Sequence, residues 1–264
     1  MYPILWQVGD LIIPTWHVLF VIASISGFLY LRLLTKRFHQ ELLLEMPSAF
    51  LWAYMGALIG ARLFSVFIEN NTFDLQNYLN FDSLTFYGGF LGGVLFVSIW
   101  IFCKKLHWSQ FWDLMIPPLF LGLAIGRIGC FLNGDDYGIP APKSLYGQFP
   151  WWSVTFPNHP EPIPRYPVQL MESAGALVLA ISLPFIFRKL SNTRTGLVGS
   201  LGILSYCILR FCLEFYRDDF RGWVRFEELS SAQFTSLVIA LTVIVFYILK
   251  QREVSIENLY KNWR

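Results

Sequence analysis

Seven apolar runs, each about 20 residues long, constrain the fold of this 264-residue chain more than any other feature. Each run predicts one transmembrane helix, because about 20 apolar residues in a helix cross the hydrocarbon core of a bilayer. Only 14% of the residues are charged, about half the usual share, which argues against a soluble domain. We therefore expect an all-α integral membrane protein with a single membrane domain over residues 1–264. The predicted spans are 16–35, 48–68, 83–103, 109–130, 167–187, 196–216 and 231–250.

Basic residues in the connections predict how the chain lies in the membrane. Twelve Lys and Arg residues fall on one side of the predicted spans and five on the other, namely Lys143, Arg165, Arg217, Arg221 and Arg225. Cytoplasmic loops carry the excess of basic residues. The N-terminus is therefore expected outside the cell and the C-terminus in the cytoplasm.

The longest connection, residues 134–166, holds seven prolines and the pair Trp151-Trp152. Proline lacks a backbone donor and breaks helices, while tryptophan is enriched where the membrane meets water. We expect this segment to be a mobile external loop without helix, lying at the bilayer interface.

Small residues recur at a spacing that suits close helix packing in lipid. The sequence contains Gly56-x-x-x-Gly60, Gly88-x-x-x-Gly92 and Gly89-x-x-x-Gly93. Glycines four residues apart share one helix face and let two backbones approach closely. We expect these faces to be packing surfaces.

The composition also excludes several partners. The four cysteines show neither the paired spacing of a zinc site nor a disulfide framework, so no metal is expected. A net charge of +2 gives no electrostatic reason to expect a nucleic-acid partner.

A layer of polar and ionisable side chains crosses the apolar runs at one depth. At the helical rise per residue, Arg62, Arg127 and Arg210 lie about 20 to 30 Å from the cytoplasmic ends of their runs, in the outer third of the bilayer core. Charges inside spans are costly and mark functional sites, and guanidinium groups bind phosphate in a bidentate manner. The layer predicts a buried anionic ligand, with a phospholipid headgroup from the outer leaflet as the candidate. Its other members are His17, Tyr87, Gln169, Glu172 and Glu214.

Local explanations remain open for four of these residues. Arg210 and Glu214 are four residues apart on a helix and can neutralise each other as an ion pair. The long stem of Arg62 allows its charge to reach water at the interface. His17 stands at the outer end of its span, where an interfacial hydrogen-bonding role is common.

Residues 126–138, GRIGCFLNGDDYG, resemble the signature of the prolipoprotein diacylglyceryl transferase family. Four further blocks are similar to blocks of that family and occur in the family's order. They are 60–64 (GARLF), 87–89 (YGG), 166–172 (YPVQLME) and 209–217 (LRFCLEFYR). The resemblance covers nearly the whole chain and includes seven spans with the N-terminus outside.

The resemblance implies an enzyme of the bacterial inner membrane. Its substrates would be phosphatidylglycerol, or a related anionic phospholipid, and the lipobox of a preprolipoprotein signal peptide. The diacylglyceryl group would pass to the lipobox cysteine thiol, and glycerol phosphate would be released. The resemblance implies no metal or organic cofactor, and the external loop is expected to contact the acceptor.

Matching positions assign roles to individual residues. Arg127 and Arg210 would hold and polarise the phosphate, and Glu214 would orient Arg210. Tyr87 and His17 are the other candidate catalytic groups. The candidates for substrate binding are Arg62, Cys130, Asn133, Asp135, Gly138, Gln169 and Glu172.

The chain departs from the family's usual residues at four positions of the same layer. Cys130 stands where Asn is usual, Asp135 replaces Glu, Tyr87 replaces His before Gly-Gly, and His17 replaces Tyr after Trp16. An exchange of roles between Tyr87 and His17 would keep a base and a phenol in the site. Three interpretations of Cys130 stay open: a small packing residue, an altered headgroup preference, or a reactive thiol.

Three functions fit these residues. The first is the lipoprotein reaction of the family. The second is a related transferase that moves a phospholipid-derived group to another acceptor. The third is a phospholipid-binding or transport protein without catalysis. Only a competent base separates the two enzymes from the binding protein.

Overall fold

A computed structural model describes residues 1–9, 11–69, 85–157, 159–190, 195–218 and 229–262. Seven long helices account for most of these residues. They are α1 (Thr15–Phe38), α2 (Met46–Glu69), α3 (Phe86–Cys103), α4 (Trp108–Asn133), α5 (Val168–Leu190), α6 (Leu197–Glu214) and α7 (Ser231–Asn262). A 3-10 turn, Gln40–Leu42, lies between α1 and α2.

Among the described residues, six helices are long and apolar enough to cross a membrane: α1, α2, α4, α5, α6 and α7. Their exposed apolar side chains, such as Leu33, Phe185 and Leu241, suit contact with lipid. Helix α3 has 18 residues, and its apolar stretch Tyr87–Cys103 is shorter than the other six. The prediction of a helical, multi-pass membrane protein is therefore confirmed, while a seventh crossing and the orientation of the termini stay predictions.

Two small antiparallel sheets add to the predicted all-α fold. Strands β1 (Ile4–Val8) and β2 (Leu11–Pro14) form a hairpin before α1. Strands β3 (Val154–Thr155) and β4 (Pro164–Arg165) pair within the long connection. The described part of that connection contains no helix, as its prolines predict. It nevertheless buries Phe156 and Arg165 almost completely, so it has a packed centre that the proline content did not indicate.

The described residues fall into two compact units. The first comprises Met1–Tyr30 and Asp113–Arg264, and the second comprises Leu31–Trp112. The prediction of a single membrane domain stays a prediction.

In the second unit, α2 and α3 meet along their glycine faces. A Cβ atom on Gly60 would lie 2.3 Å from the carbonyl oxygen of Gly88, and one on Gly92 would lie 2.2 Å from that of Gly56. No side chain fits at such distances, so glycine is required at Gly56, Gly60, Gly88 and Gly92. The predicted packing role of these glycines is confirmed.

In the first unit, side chains complete the hydrogen bonding of backbone groups that the helices leave open. Pro184 inside α5 has no N–H to donate to the carbonyl oxygen of Ala180. The hydroxyl of Tyr30 donates to that oxygen instead, at 2.9 Å. Asp113 accepts from the N–H groups of Gly196 and Gly199 at 2.6 and 2.7 Å, which satisfies the first turn of α6.

Helix α7 begins with a capping box. Ser230 Oγ accepts from the N–H of Gln233 at 3.2 Å, and the side chain of Gln233 accepts from the N–H of Ser230 at 3.0 Å. This pairing sets where the helix starts. It also fixes the position of the Ser230 hydroxyl, which takes part in the site described next.

Candidate functional site

Six charged side chains of the first unit form one continuous network of ion pairs. Helices α4, α5 and α6 each contribute, and so do the turns that follow α4 and α6. Positive and negative groups alternate along the network, and every member is largely buried. In order, they are Glu172, Arg127, Asp136, Arg217, Glu214 and Arg210.

Arg127 stands between two carboxylates. Its Nη1 lies 2.7 Å from Oδ2 of Asp136, and its Nε lies 3.0 Å from Oε2 of Glu172. Glu172 is fully buried, and its other oxygen accepts a hydrogen bond of 2.6 Å from the hydroxyl of Tyr206. The guanidinium plane of Arg127 is therefore held from two sides, with 14% of its side chain still exposed.

Glu214 contacts two arginines of the network. Its Oε2 lies 2.8 Å from Nη1 of Arg210, one turn earlier on α6, and 3.9 Å from Nε of Arg217. Its Oε1 accepts a hydrogen bond of 2.9 Å from Ser230. Arg217 reaches back to Asp136, with its Nη2 3.4 Å from Oδ1. Asp136 therefore joins the Arg127 half of the network to the Glu214 half.

The end of α4 determines where Asp136 lies. Gly134 adopts φ +88° just past the helix, and the N–H groups of Gly134 and Asp135 turn back to the carbonyls of Phe131 and Cys130 at 3.2 and 3.1 Å. This is the Schellman arrangement that commonly ends a helix at glycine. Asp136 follows with φ +63°, a left-handed conformation that Asp and Asn adopt more readily than most residues. The two left-handed positions, one on each side of Asp135, place the carboxylate of Asp136 beside Arg127.

Gly138 draws three chain segments together. Its N–H donates to the carbonyl of Tyr166 at 3.2 Å, and the N–H of Ile139 donates to the carbonyl of Tyr216 at 2.9 Å. A Cβ atom on Gly138 would lie 2.6 Å from both carbonyl oxygens. Only glycine allows this approach, which places Arg217 close to Asp136.

Four further sequence-predicted residues of the first unit lie next to members of the network. Asn133 donates to the side chain of Asp135, and the amide of Gln169 donates to the backbone oxygen of Asp135. The side chain of Asp135 is exposed, whereas the neighbouring Asp136 takes part in the ion pairs. Cys130 is partly buried and lies on the same helix as Arg127, one turn later, since α4 continues to Asn133.

Three predicted residues lie outside this network. His17 is exposed near the start of α1 and packs edge-on against Trp16, with ring centroids 5.4 Å apart. Arg62 and Tyr87 belong to the second unit. Arg62 is buried on α2, so its side chain does not extend to water. Tyr87 is exposed on α3. That these three residues act on the same substrate as the network stays a prediction.

The chain is similar to proteins of one known family. The model of the family described as prolipoprotein diacylglyceryl transferase matches residues 3–249. The chain belongs to this family. It is 30% identical over 259 residues to the phosphatidylglycerol–prolipoprotein diacylglyceryl transferase of Clostridium botulinum (strain Loch Maree / Type A3), covering 96% of this chain and 99% of that protein.

Relatives in other bacteria carry the same name. The enzyme of Azospirillum brasilense is 30% identical over 226 residues, which cover 82% of this chain and 81% of that protein. The enzyme of Rhodospirillum rubrum is 28% identical over 261 residues, covering 95% of this chain and 92% of that protein. The sequence resemblance to the diacylglyceryl transferase family is thus confirmed over nearly the full chain.

Four residues of the site in this diacylglyceryl transferase family member are not among the residues predicted from the sequence. The resemblance matches Asp135, and not Asp136, to the family's acidic residue, and the predicted spans place Arg217 in a connection. The spacing of Arg217, seven residues after Arg210, was a signal that both can lie on one face. Tyr206 and Ser230 gave no signal, because their roles depend on partners 34 and 16 residues away.

The arrangement is suited to binding and releasing an oxyanion. Guanidinium groups in a water-poor site stabilise negative charge as it develops, and the carboxylates hold those groups in place. Within the described ranges, no cluster of His, Cys, Asp and Glu side chains fits a metal ion.

Proposed function

We propose that this chain transfers the diacylglyceryl group of phosphatidylglycerol to the lipobox cysteine of a preprolipoprotein. Membership of the family and the names of its relatives support this function. The structural observation that carries it is the buried network in which Arg127 and Arg210 are each anchored by a carboxylate. Anchored guanidinium groups suit a reaction whose leaving group is a phosphate.

In the proposed reaction, the thiol sulfur attacks the carbon of the diacylglyceryl group that carries the phosphate ester. A C–S bond forms, the C–O bond breaks, and the electron pair leaves with the oxygen of glycerol phosphate. Arg127 and Arg210 stabilise the charge that develops on the phosphate, and Glu214 orients Arg210. The contacts of Arg127 with Glu172, itself fixed by Tyr206, support a fixed rather than a mobile guanidinium.

The thiol must lose its proton, because the thiolate is the nucleophile. His17 and Tyr87 are the proposed groups for this step, with the external loop 134–166 contacting the acceptor. We assign headgroup contacts to Arg62, Cys130, Asn133, Asp135, Gly138, Gln169 and Glu172. The membrane arrangement belongs to the same proposal: seven crossings in the bacterial inner membrane, the N-terminus outside and the C-terminus in the cytoplasm.

The test is lipidation of a lipobox peptide by the purified protein in phosphatidylglycerol vesicles, with released glycerol phosphate as the readout. We expect thioether formation and stoichiometric release. A peptide with serine in place of the lipobox cysteine should give neither, because it lacks the thiol. Binding of phosphatidylglycerol without release would identify a lipid-binding protein, and release without peptide lipidation would indicate another acceptor.

A further inference from the structure

Asp136 holds a position in the site that neither the family signature nor the proposed reaction explains. Its two oxygens contact two different arginines, Oδ2 with Arg127 at 2.7 Å and Oδ1 with Arg217 at 3.4 Å. A phosphate group can bind arginines in the same way, because two of its oxygens can each accept from a guanidinium group. The carboxylate thus occupies the kind of position that a phosphate oxyanion requires.

The charge of the network makes this occupancy consequential. The six linked groups carry three positive charges on arginine and three negative charges on carboxylates. A neutral network offers an incoming phosphodiester little net attraction, because each guanidinium already has a counterion. Binding of the phosphodiester becomes favourable once one carboxylate no longer contacts its arginines.

Asp136 differs from the other two carboxylates of the network in its place in the chain. Glu172 and Glu214 lie on the helices α5 and α6, whereas Asp136 lies in the turn after α4. Its two oxygens contact two different arginines, so a phosphate group that binds Arg127 and Arg217 has to take its place.

We propose that Asp136 is an internal counter-anion, which holds Arg127 and Arg217 while the site is empty and is displaced by the phosphate oxyanion of the substrate. This proposal rests on the proposed function, since it concerns the same site. The carboxylate competes with both the phosphodiester of the lipid and the phosphate monoester of the product. By returning to the arginines, it speeds release of the product.

The test replaces Asp136 by Asn, which removes the charge, keeps the shape and tolerates the same left-handed backbone. Kinetics are measured in vesicles of neutral phosphatidylcholine with increasing phosphatidylglycerol. We expect the KM for phosphatidylglycerol and the inhibition constant of glycerol phosphate each to fall about tenfold, as expected when one charge-assisted contact no longer competes. The kcat should fall as well, because the product leaves more slowly.

The matched control is Glu41→Gln, which removes one exposed carboxylate of the second unit. Glu41 lies in the 3-10 turn Gln40–Leu42, where it pairs with His39 at 2.9 Å. Its KM, kcat and inhibition constant should equal those of the unaltered protein. A raised or unchanged KM in Asp136→Asn would overturn the proposal, because a residue that only positions Arg127 weakens substrate binding when it is lost.

A second measurement needs no acceptor and no turnover. Thermal unfolding is followed with and without phosphatidylglycerol in one arm and with and without glycerol phosphate in the other. Each ligand should stabilise Asp136→Asn more than it stabilises the unaltered protein, even if the empty variant unfolds earlier. Stabilisation in the lipid arm alone would assign the displacement to the lipid headgroup, and stabilisation in the glycerol phosphate arm alone would assign it to the free product. Equal stabilisation of both proteins refutes the displacement, whereas absent transfer by the unaltered protein refutes only the proposed function.

Discussion

Replacement of Arg127 by alanine should remove two things at once: an ion pair that stabilises the fold and a guanidinium that binds the substrate phosphate. Its guanidinium lies 3.0 Å from the fully buried Glu172 and 2.7 Å from Asp136. Removing one partner of a buried ion pair costs about 3–5 kcal/mol, because the other charge is left uncompensated. Asp136 keeps its contact with Arg217, so most of this cost should arise at Glu172. We expect the variant to lose about 3–5 kcal/mol of stability and all lipid turnover.

A double variant, Arg127→Met with Glu172→Gln, tells the two losses apart. It removes both charges of the pair, and neutral side chains of similar volume often replace a buried ion pair without net cost. The hydroxyl of Tyr206 can still donate to the glutamine carbonyl. The double variant should therefore regain most of the stability that Arg127→Ala loses. Turnover should stay absent, because no guanidinium at position 127 faces the phosphate.

The assay combines thermal unfolding in lipid-containing micelles with the lipidation reaction. Arg188→Ala, at the exposed end of α5, is the matched control and should change stability by less than about 0.5 kcal/mol. A double variant as unstable as Arg127→Ala would show that the unpaired charge of Glu172 is not the source of the lost stability. Normal turnover in a folded Arg127 variant would show that this guanidinium does not act on the phosphate.

Three further predictions concern single positions. Gly138→Ala should cost about 1–3 kcal/mol in thermal unfolding, since its Cβ would meet two carbonyl oxygens at 2.6 Å, whereas Gly122→Ala, with its nearest contact at 3.7 Å, should be neutral. Glu214→Gln should lower turnover less than Arg210→Ala, and the reverse order across pH would identify Glu214 as a proton acceptor. Cys130→Ser should be nearly silent if the residue only packs, and Cys130→Asn should raise turnover with phosphatidylglycerol if headgroup preference has changed. Loss of turnover in Cys130→Ser would indicate a reactive thiol.

Several features of this protein follow from short stretches of sequence. The long apolar helices were predictable because crossing a bilayer requires a run of apolar residues of defined length. The packing faces of α2 and α3 were predictable from glycines four residues apart, since spacing alone places them on one face. The signature around Arg127 was enough to indicate the family, which the family model confirms.

The spacing of Arg210 and Glu214 was enough to indicate their ion pair, but the tertiary structure decided which of the more distant charges meet. Asp135 and Asp136 are neighbours in the sequence, but the left-handed turn after α4 places Asp136 against Arg127 and leaves the side chain of Asp135 exposed. Arg217 reaches the same carboxylate only because Gly138 lets the chain after α6 approach the chain after α4. Helix formation depends on neighbouring residues, whereas an ion pair depends on the path of the chain between its partners. The sequence therefore determines the helices and the family, and the packing of distant segments determines the site.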